Sequence, residues 1–196
     1  MASDLDEKVG TSDREEKPRR GRWILEWAVV LVVAIGLAIG LRTFVIQTYS
    51  IPSGSMIPTL MVGDRILVDK LSYHLHPVHR GDVVVFATPP RELAVLEVND
   101  LVKRVIGLPG ETISSGPHGE VLINGKAIHQ PWLTAGARAN PGPVIRRQKI
   151  PAGEIFVMGD NRGYSDDSRD YGPVDESLIV GRAVFGFWPL SRIHLL

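Results

Sequence analysis

The 196 residues include no cysteine, which removes thiol nucleophiles, disulfide frameworks and cysteine-ligated zinc together. A cysteine-free chain suits an oxidising exterior and a reducing cytosol equally, so this absence leaves the compartment open. Charge of one sign is lacking too: 22 Lys and Arg balance 22 Asp and Glu, and nothing in the balance suggests a nucleic-acid surface. No segment repeats. What is present, 44% hydrophobic and 22% charged residues, is ordinary for one globular domain plus an anchor, with room for one sizeable core.

The anchor is the run WILEWAVVLVVAIGLAIGL from Trp23 to Leu41, apolar but for Glu26 and continued after Arg42 by TFVI. About 20 helical residues cover a hydrocarbon core of roughly 30 Å, so the run is expected to span a bilayer. Glu26 falls in the first turn beside Trp23 and Trp27, where an interfacial carboxylate and aromatic rings sit at headgroup level and the helix N-terminus favours negative charge. Lys17, Arg19, Arg20 and Arg22 precede the run, whereas only Arg42 follows closely. The positive-inside rule therefore keeps residues 1–22 cytoplasmic and translocates residues 47–196. A cleavable secretory signal is the alternative, with Ala38 and Gly40 mimicking a cleavage site, but the run continues past them. The expected division is a disordered leader at 1–22, an anchor at 23–46 and an exported domain at 47–196.

After the anchor, helical periodicity gives way to short β-type runs. They are RILVDKL at 65–71, DVVVFA at 82–87, LVKRVIG at 101–107, TIS at 112–114, VLI and KAI around Asn124-Gly125, EIFVM at 154–158 and GRAVFGFW at 181–188. Gly, Pro, Asn and Asp clusters bound them, the punctuation of a mainly β domain. Asn-Gly between two such runs predicts a type I′ hairpin. Residues 88–100 read as a connection and 130–148 as a surface excursion.

Residues able to carry chemistry fall in three places. The stretch YSIPSGSMIPTL, residues 49–60, sets Ser53 and Ser55 around Gly54 between two prolines; by itself it reads as a turn. A nucleophilic serine needs a base, and the usual partner is histidine. His74, His76 and His79 cluster in YHLHPVHRGD, which reads as a solvated loop; the HExxH pattern and a downstream carboxylate motif are both missing, so no metal is expected. Ser55 lacks the GxSxG elbow, and no lysine has a serine three residues before it, so two serine-hydrolase classes drop out. Lysine remains as base. In LVKRVIG a period of two groups Lys103 with Leu101 and Val105, and Arg104 with Val102 and Ile106, committing one cation to each apolar face. A lysine held in an apolar setting can fall from a pKa of about 10.4 by roughly 3, about 4 kcal/mol of differential solvation, and could then deprotonate a serine. The alternative is a strand lysine that snorkels its ammonium into water. The third place, GDNRGYSDDSRDYGPV at 159–174, fails the EF-hand spacing from both Asp160 and Asp166, and reads as a loop tied by Asp–Arg pairs.

In order along the chain, PSGSMIPTL, Gly63-Asp64, RGDVVVF at 80–86, KRVIGLPGE at 103–111 and GDNRxxSxDSR at 159–169 resemble the type I signal peptidases, over about residues 45–190. The resemblance implies a membrane-bound Ser/Lys endopeptidase without cofactor, in which Ser55 is the nucleophile and Lys103 the general base. Ser53 would join the Ser55 N–H in the oxyanion hole, and Ser165 would hydrogen-bond and orient the lysine. Asp167 and Arg169 would hold that loop, with Asp160, Asn161 and Arg162 structural. An extended substrate would pair with Tyr49 to Ser53, including Pro52, and with Asp100 to Val102. Ile51, Met56, Leu60, Leu101 and Val102 would wall small pockets giving an Ala-x-Ala preference. Signal peptides of translocated preproteins, the lipid bilayer and protein-export machinery are the implied partners. The place implied is a bacterial-type plasma or thylakoid membrane, with the catalytic domain on the trans side. Gly163 and Tyr164 depart from the family pattern. The rival readings are another Ser/Lys peptidase, such as a self-cleaving repressor-type domain, and an anchored β-rich binding module whose serines only turn the chain.

Overall fold

The computed structural model describes residues 20–90, 92–96 and 98–196. Most of the expected leader, residues 1–19, lies outside the described residues. Helix α1, Arg20–Phe44, takes up the apolar run, and its 18-residue window Trp23–Gly40 buries nothing inside the structure. Such a helix is long and apolar enough to cross a membrane. It starts three residues before the expected anchor, and its end at Phe44 leaves Ile46 to open a strand.

The unit from Gly40 to Leu196 is mainly β. Its strands are β1 (Ile46–Ser50), β2 (Arg65–Asp69), β3 (Val83–Ala87), β4 (Asp100–Gly107), β5 (Thr112–Ser115), β6 (Val121–Ile123), β7 (Lys126–Ala127), β8 (Gln148–Lys149), β9 (Glu154–Met158), β10 (Val174–Asp175), β11 (Ile179–Trp188) and β12 (His194–Leu195). Short helices interrupt them: α2 (Ser72–Leu75), α3 (Leu93–Leu96), α4 (Ala135–Ala139) and α5 (Ser168–Tyr171). The first three fall inside stretches expected to be loops, too short to leave a periodic signal. A large antiparallel sheet runs β1-β2-β11-β3-β4-β9-β10, with β12 on β11, and a smaller one runs β7-β6-β5-β8. The type I′ hairpin is present: Asn124 and Gly125 both have positive φ, 51° and 79°, between β6 and β7.

Strand β3 shows why the sheet is covered on both faces. Val83 and Val85 join one buried cluster with Ile51, Met56 and Leu60, while Val84 and Phe86 join another with Val105 and Val157. Alternation along one strand thus feeds two cores. A third cluster, around Ile106, Ile113, Ile150 and Phe156, joins the two sheets. The excursion at 130–148 is anchored rather than loose, since Leu133 and Ile145 are buried.

Strand β4 positions the candidate chemistry. Its first half pairs with β3 on one side only, because β9 pairs it from Arg104 onward. Among the described residues the opposite edge from Asp100 to Lys103 is left without a strand, and β1 is likewise the last strand at its end of the sheet.

Candidate active site

The segment joining β1 to β2 is folded into a compact turn by its own backbone. Ile51 N donates to Asp64 O and Gly63 N to Ile51 O, each at 2.9 Å, which pinches the loop shut at its base. Asp64, almost buried, accepts from Met61 N at 2.7 Å and is bridged by Arg192. Met56 and Leu60 root the loop in the core. At its tip the Ser53 and Ser55 hydroxyls lie 3.3 Å apart.

A cleft of about 550 Å³ opens beside this tip, lined by Ser53, Gly54, Ser55 and, from β4, Leu101, Val102 and Lys103. Tyr49, Ile51, Pro52, Met56 and Asp100 line it as well. Leu60 does not: it is fully buried in the core, in one cluster with Met56. Val98, Asn161, Tyr164 and Asp166 also line the cleft, a place not expected of them from the sequence. Tyr164 is 77% exposed, and its place on the wall follows from the path of the 159–169 loop, which no local pattern announces.

Lys103 is 3% exposed, so its ammonium does not reach water by snorkelling. Burial pulls its pKa down to about 8, against the opposing pull of Asp167 and Asp166. At neutral to mildly alkaline pH a useful fraction is therefore the free amine, the form able to take a proton. In this structure the two serine hydroxyls bond to each other and Lys103 stands in the same cleft, making no hydrogen bond to Ser55.

The adjacent Arg104 is held differently. Its Nε and Nη2 donate to Asp160 at 2.9 and 2.7 Å, its Nη1 donates to Gly81 O at 2.7 Å, and the guanidinium lies 4.9 Å from the Trp132 ring centre. Thr59 Oγ1 donates to the same carboxylate at 2.5 Å, so this ion pair ties the serine loop to β4. Such a pair is fully satisfied and chemically inert.

The loop after β9 grips both elements. Asn161 N donates to Ser55 O at 3.0 Å and Asn161 Nδ2 to Gly54 O at 2.9 Å, so a residue expected only to scaffold its own loop holds the serine turn directly. Gly159 lies between the Ser55 carbonyl and the Ser165 hydroxyl; a Cβ there would overlap both. Asp167 pairs Arg169 through Nε and Nη2, each at 2.8 Å, accepts from Gly159 N at 2.9 Å and caps α5 in a capping box with Asp170. Arg162 is also buried, donating from Nε to Gly159 O at 3.1 Å. The Ser165 hydroxyl, expected on the lysine, is buried and has no hydrogen-bond partner among the described residues; it lies close to Gly159. His74 and His79 are exposed, and among the described residues no group of His, Cys, Asp or Glu could hold a metal ion.

A family model described as signal peptidase, peptidase S26, matches residues 24–188. The chain belongs to that family. Its match to a probable signal peptidase I-2 of Synechocystis sp. is 41% identical over 187 residues, 95% of this chain and 83% of the relative. Identity to a signal peptidase I of Leptolyngbya laminosa is also 41%, over 179 residues, 90% of this chain and 86% of that one. A crystal structure of a signal peptidase I from Enterococcus faecalis aligns with 56% of this chain and 98% of its own, at 30% identity and a TM-score of 0.47. The peptidase S26 match spans the serine turn, β4 and the loop after β9, and the family is membrane-associated.

Proposed function

We propose that this signal peptidase family member is a single-pass, membrane-anchored serine endopeptidase that removes signal peptides from translocated preproteins. The observation that carries the reading is Lys103: a nearly buried amine with a pKa near 8, in one cleft with two paired serine hydroxyls. Neutral Lys103 takes the Ser55 proton as Oγ attacks the scissile carbonyl. The Ser55 N–H and the Ser53 hydroxyl receive the developing oxyanion, the latter after turning from its 3.3 Å contact with Ser55 Oγ. The Lys103 ammonium then protonates the departing amine, leaving an acyl-enzyme. Regenerated as the free amine, it deprotonates the water that releases the signal peptide. Ser165, buried and without a hydrogen-bond partner among the described residues, is available to orient that ammonium.

An extended substrate fits between the open edges of β1 and of β4 at Asp100–Lys103. Side chains at −1 and −3 then point at Ile51, Pro52, Met56, Leu101 and Val102, whose bulk favours small residues. The basic cluster before the apolar run supports a cytoplasmic N-terminus and a catalytic domain on the trans side of a bacterial-type plasma or thylakoid membrane. The lipid bilayer and the export machinery that delivers preproteins are its proposed partners. Tethering Ser55 to the bilayer that holds the substrate raises their effective concentration.

The test is cleavage of a purified preprotein by the full chain in detergent micelles, followed by mapping of the cut. Ser55→Ala is expected to lower the rate by about 10⁴-fold or more. Cleavage at an undiminished rate by Ser55→Ala overturns the reading.

A further inference from the structure

The buried network around the loop after β9 carries more positive charge than negative. Arg104, Arg162, Lys103 and the Arg169 side chain are buried, against Asp160 and Asp167. Arg104 occupies Asp160 and Arg169 occupies Asp167, each through two hydrogen bonds. Lys103 relieves its burial by losing its proton, and Arg162 is left over. It is 4% exposed, donates to two neutral acceptors, Gly159 O and Gln130 Oε1, and forms no ion pair among the described residues. Burial lowers its pKa, but only to about 10, so it stays charged at neutral pH. Asp160 and Asp167 lie near enough to favour that charge, but both are already bonded by Arg104 and Arg169, and a buried guanidinium with no carboxylate bonded to it among the described residues favours a further anion.

Arg162 lines a second cavity of about 330 Å³, separate from the serine–lysine cleft. Arg138 lines it too, and Gln130 holds both arginines: its side chain accepts from Arg162, and its backbone carbonyl accepts from Arg138 Nη2 at 3.0 Å. One glutamine therefore sets two guanidinium groups, neither of them ion-paired among the described residues, on the wall of one cavity. Among the described residues Glu120 is the only carboxylate lining it. That carboxylate is engaged by its own turn, accepting from His118 N at 2.9 Å and packed so closely on Gly116 that a Cβ there would overlap it. Ile128 and Leu133 give the cavity an apolar side.

We propose that this cavity is a binding site for a small organic oxyanion, a phosphate or carboxylate on a short apolar body, held between Arg138 and Arg162. The volume is at the small end for ligand sites, and a paired guanidinium cradle is the arrangement that planar and tetrahedral oxyanions select. The site also adjoins the loop whose Asn161 holds the serine turn, yet it does not depend on the peptidase reading.

The experiment titrates the full chain in detergent micelles with phenyl phosphate, benzoate and inorganic phosphate at constant ionic strength, reading heat and melting temperature. Saturable binding of phenyl phosphate or benzoate at one equivalent per chain is expected, and whichever binds more tightly names the headgroup. Weaker binding of inorganic phosphate would show that the apolar side contributes. Arg138→Gln, at an exposed position, is expected to weaken binding by about tenfold or more, the worth of a charge-assisted hydrogen bond. Ala137→Phe, which adds a ring at the cavity wall, is expected to abolish it. Absence of saturable binding by all three probes up to tens of millimolar overturns the proposal. So does binding that survives both substitutions unchanged in folded protein.

Discussion

Two consecutive cations on β4 meet opposite fates. Lys103 lies in the wall of the cleft, where burial strips water from it and the acidic groups that favour its charge, Asp167 and Asp166, do not bond to it. Arg104, on the other face, is matched bidentately by Asp160 and stacked by Trp132. Both are almost fully buried, at 3% and 5% exposure, so depth alone does not separate them. The partner does: a buried cation with a well-placed carboxylate stays charged and fastens the fold, whereas one without yields its proton and becomes a base. The residue types match the tasks, since a guanidinium keeps its proton near neutral pH far more firmly than a buried ammonium does.

The comparison can be broken most severely at Lys103. Lys103→Met should lower peptide cleavage by about 10⁴-fold while leaving the melting temperature unchanged or higher, because a strained buried cation is replaced by an apolar chain of similar length. Parallel measurement of rate and thermal unfolding checks both halves; a melting temperature that falls with the rate would mean that Lys103 also fastens the fold. Arg104→Met should do the reverse, costing about 3–5 kcal/mol of stability by leaving Asp160 buried and unpaired, as read from denaturant unfolding.

Proton linkage gives the third difference. The Lys103 pKa is near 8 in the folded chain and near 10.5 when unfolded, so between those pH values the unfolded chain holds the extra proton. Stability should therefore rise from pH 8 to 10.5 by about 3 kcal/mol from this group, with the full penalty below pH 8, and Lys103→Met should remove the rise. The same titration should give kcat/KM an acid limb centred near pH 8. The smallest effect belongs to the clamp on the serine turn. Asn161→Ala removes one of its two bonds to that turn and should lower kcat about tenfold, with a smaller rise in KM because Asn161 also lines the cleft. An unchanged kcat would make Asn161 a bystander.

Much of this was legible in order and spacing. The apolar run, the Asn-Gly hairpin, the β-branched runs that became β2, β3, β4 and β9, and the period of two that put Lys103 and Arg104 on opposite faces all follow from local chemistry. The short helices α2, α3 and α4 were not legible, being a single turn each. Leu60 was placed on the cleft wall by the family resemblance, but the loop closes at its base and that side chain lies in the core. The Ser165 hydroxyl was expected on Lys103 and instead lies close to Gly159, a matter of side-chain rotation that sequence does not carry.

The sequence by itself determined the membrane-length helix, the mainly β character of the remainder, the pair of serines and the two cations, because each depends on residue type and short-range period. Only the tertiary structure decided what those residues meet: that Asn161 reaches across to Gly54 and Ser55, that Asp160 is taken by Arg104 rather than by Arg162, and that Lys103 has no carboxylate bonded to it. Those outcomes turn on contacts between segments roughly fifty to a hundred residues apart, where burial and pairing depend on the whole packed sheet and on no single stretch of chain.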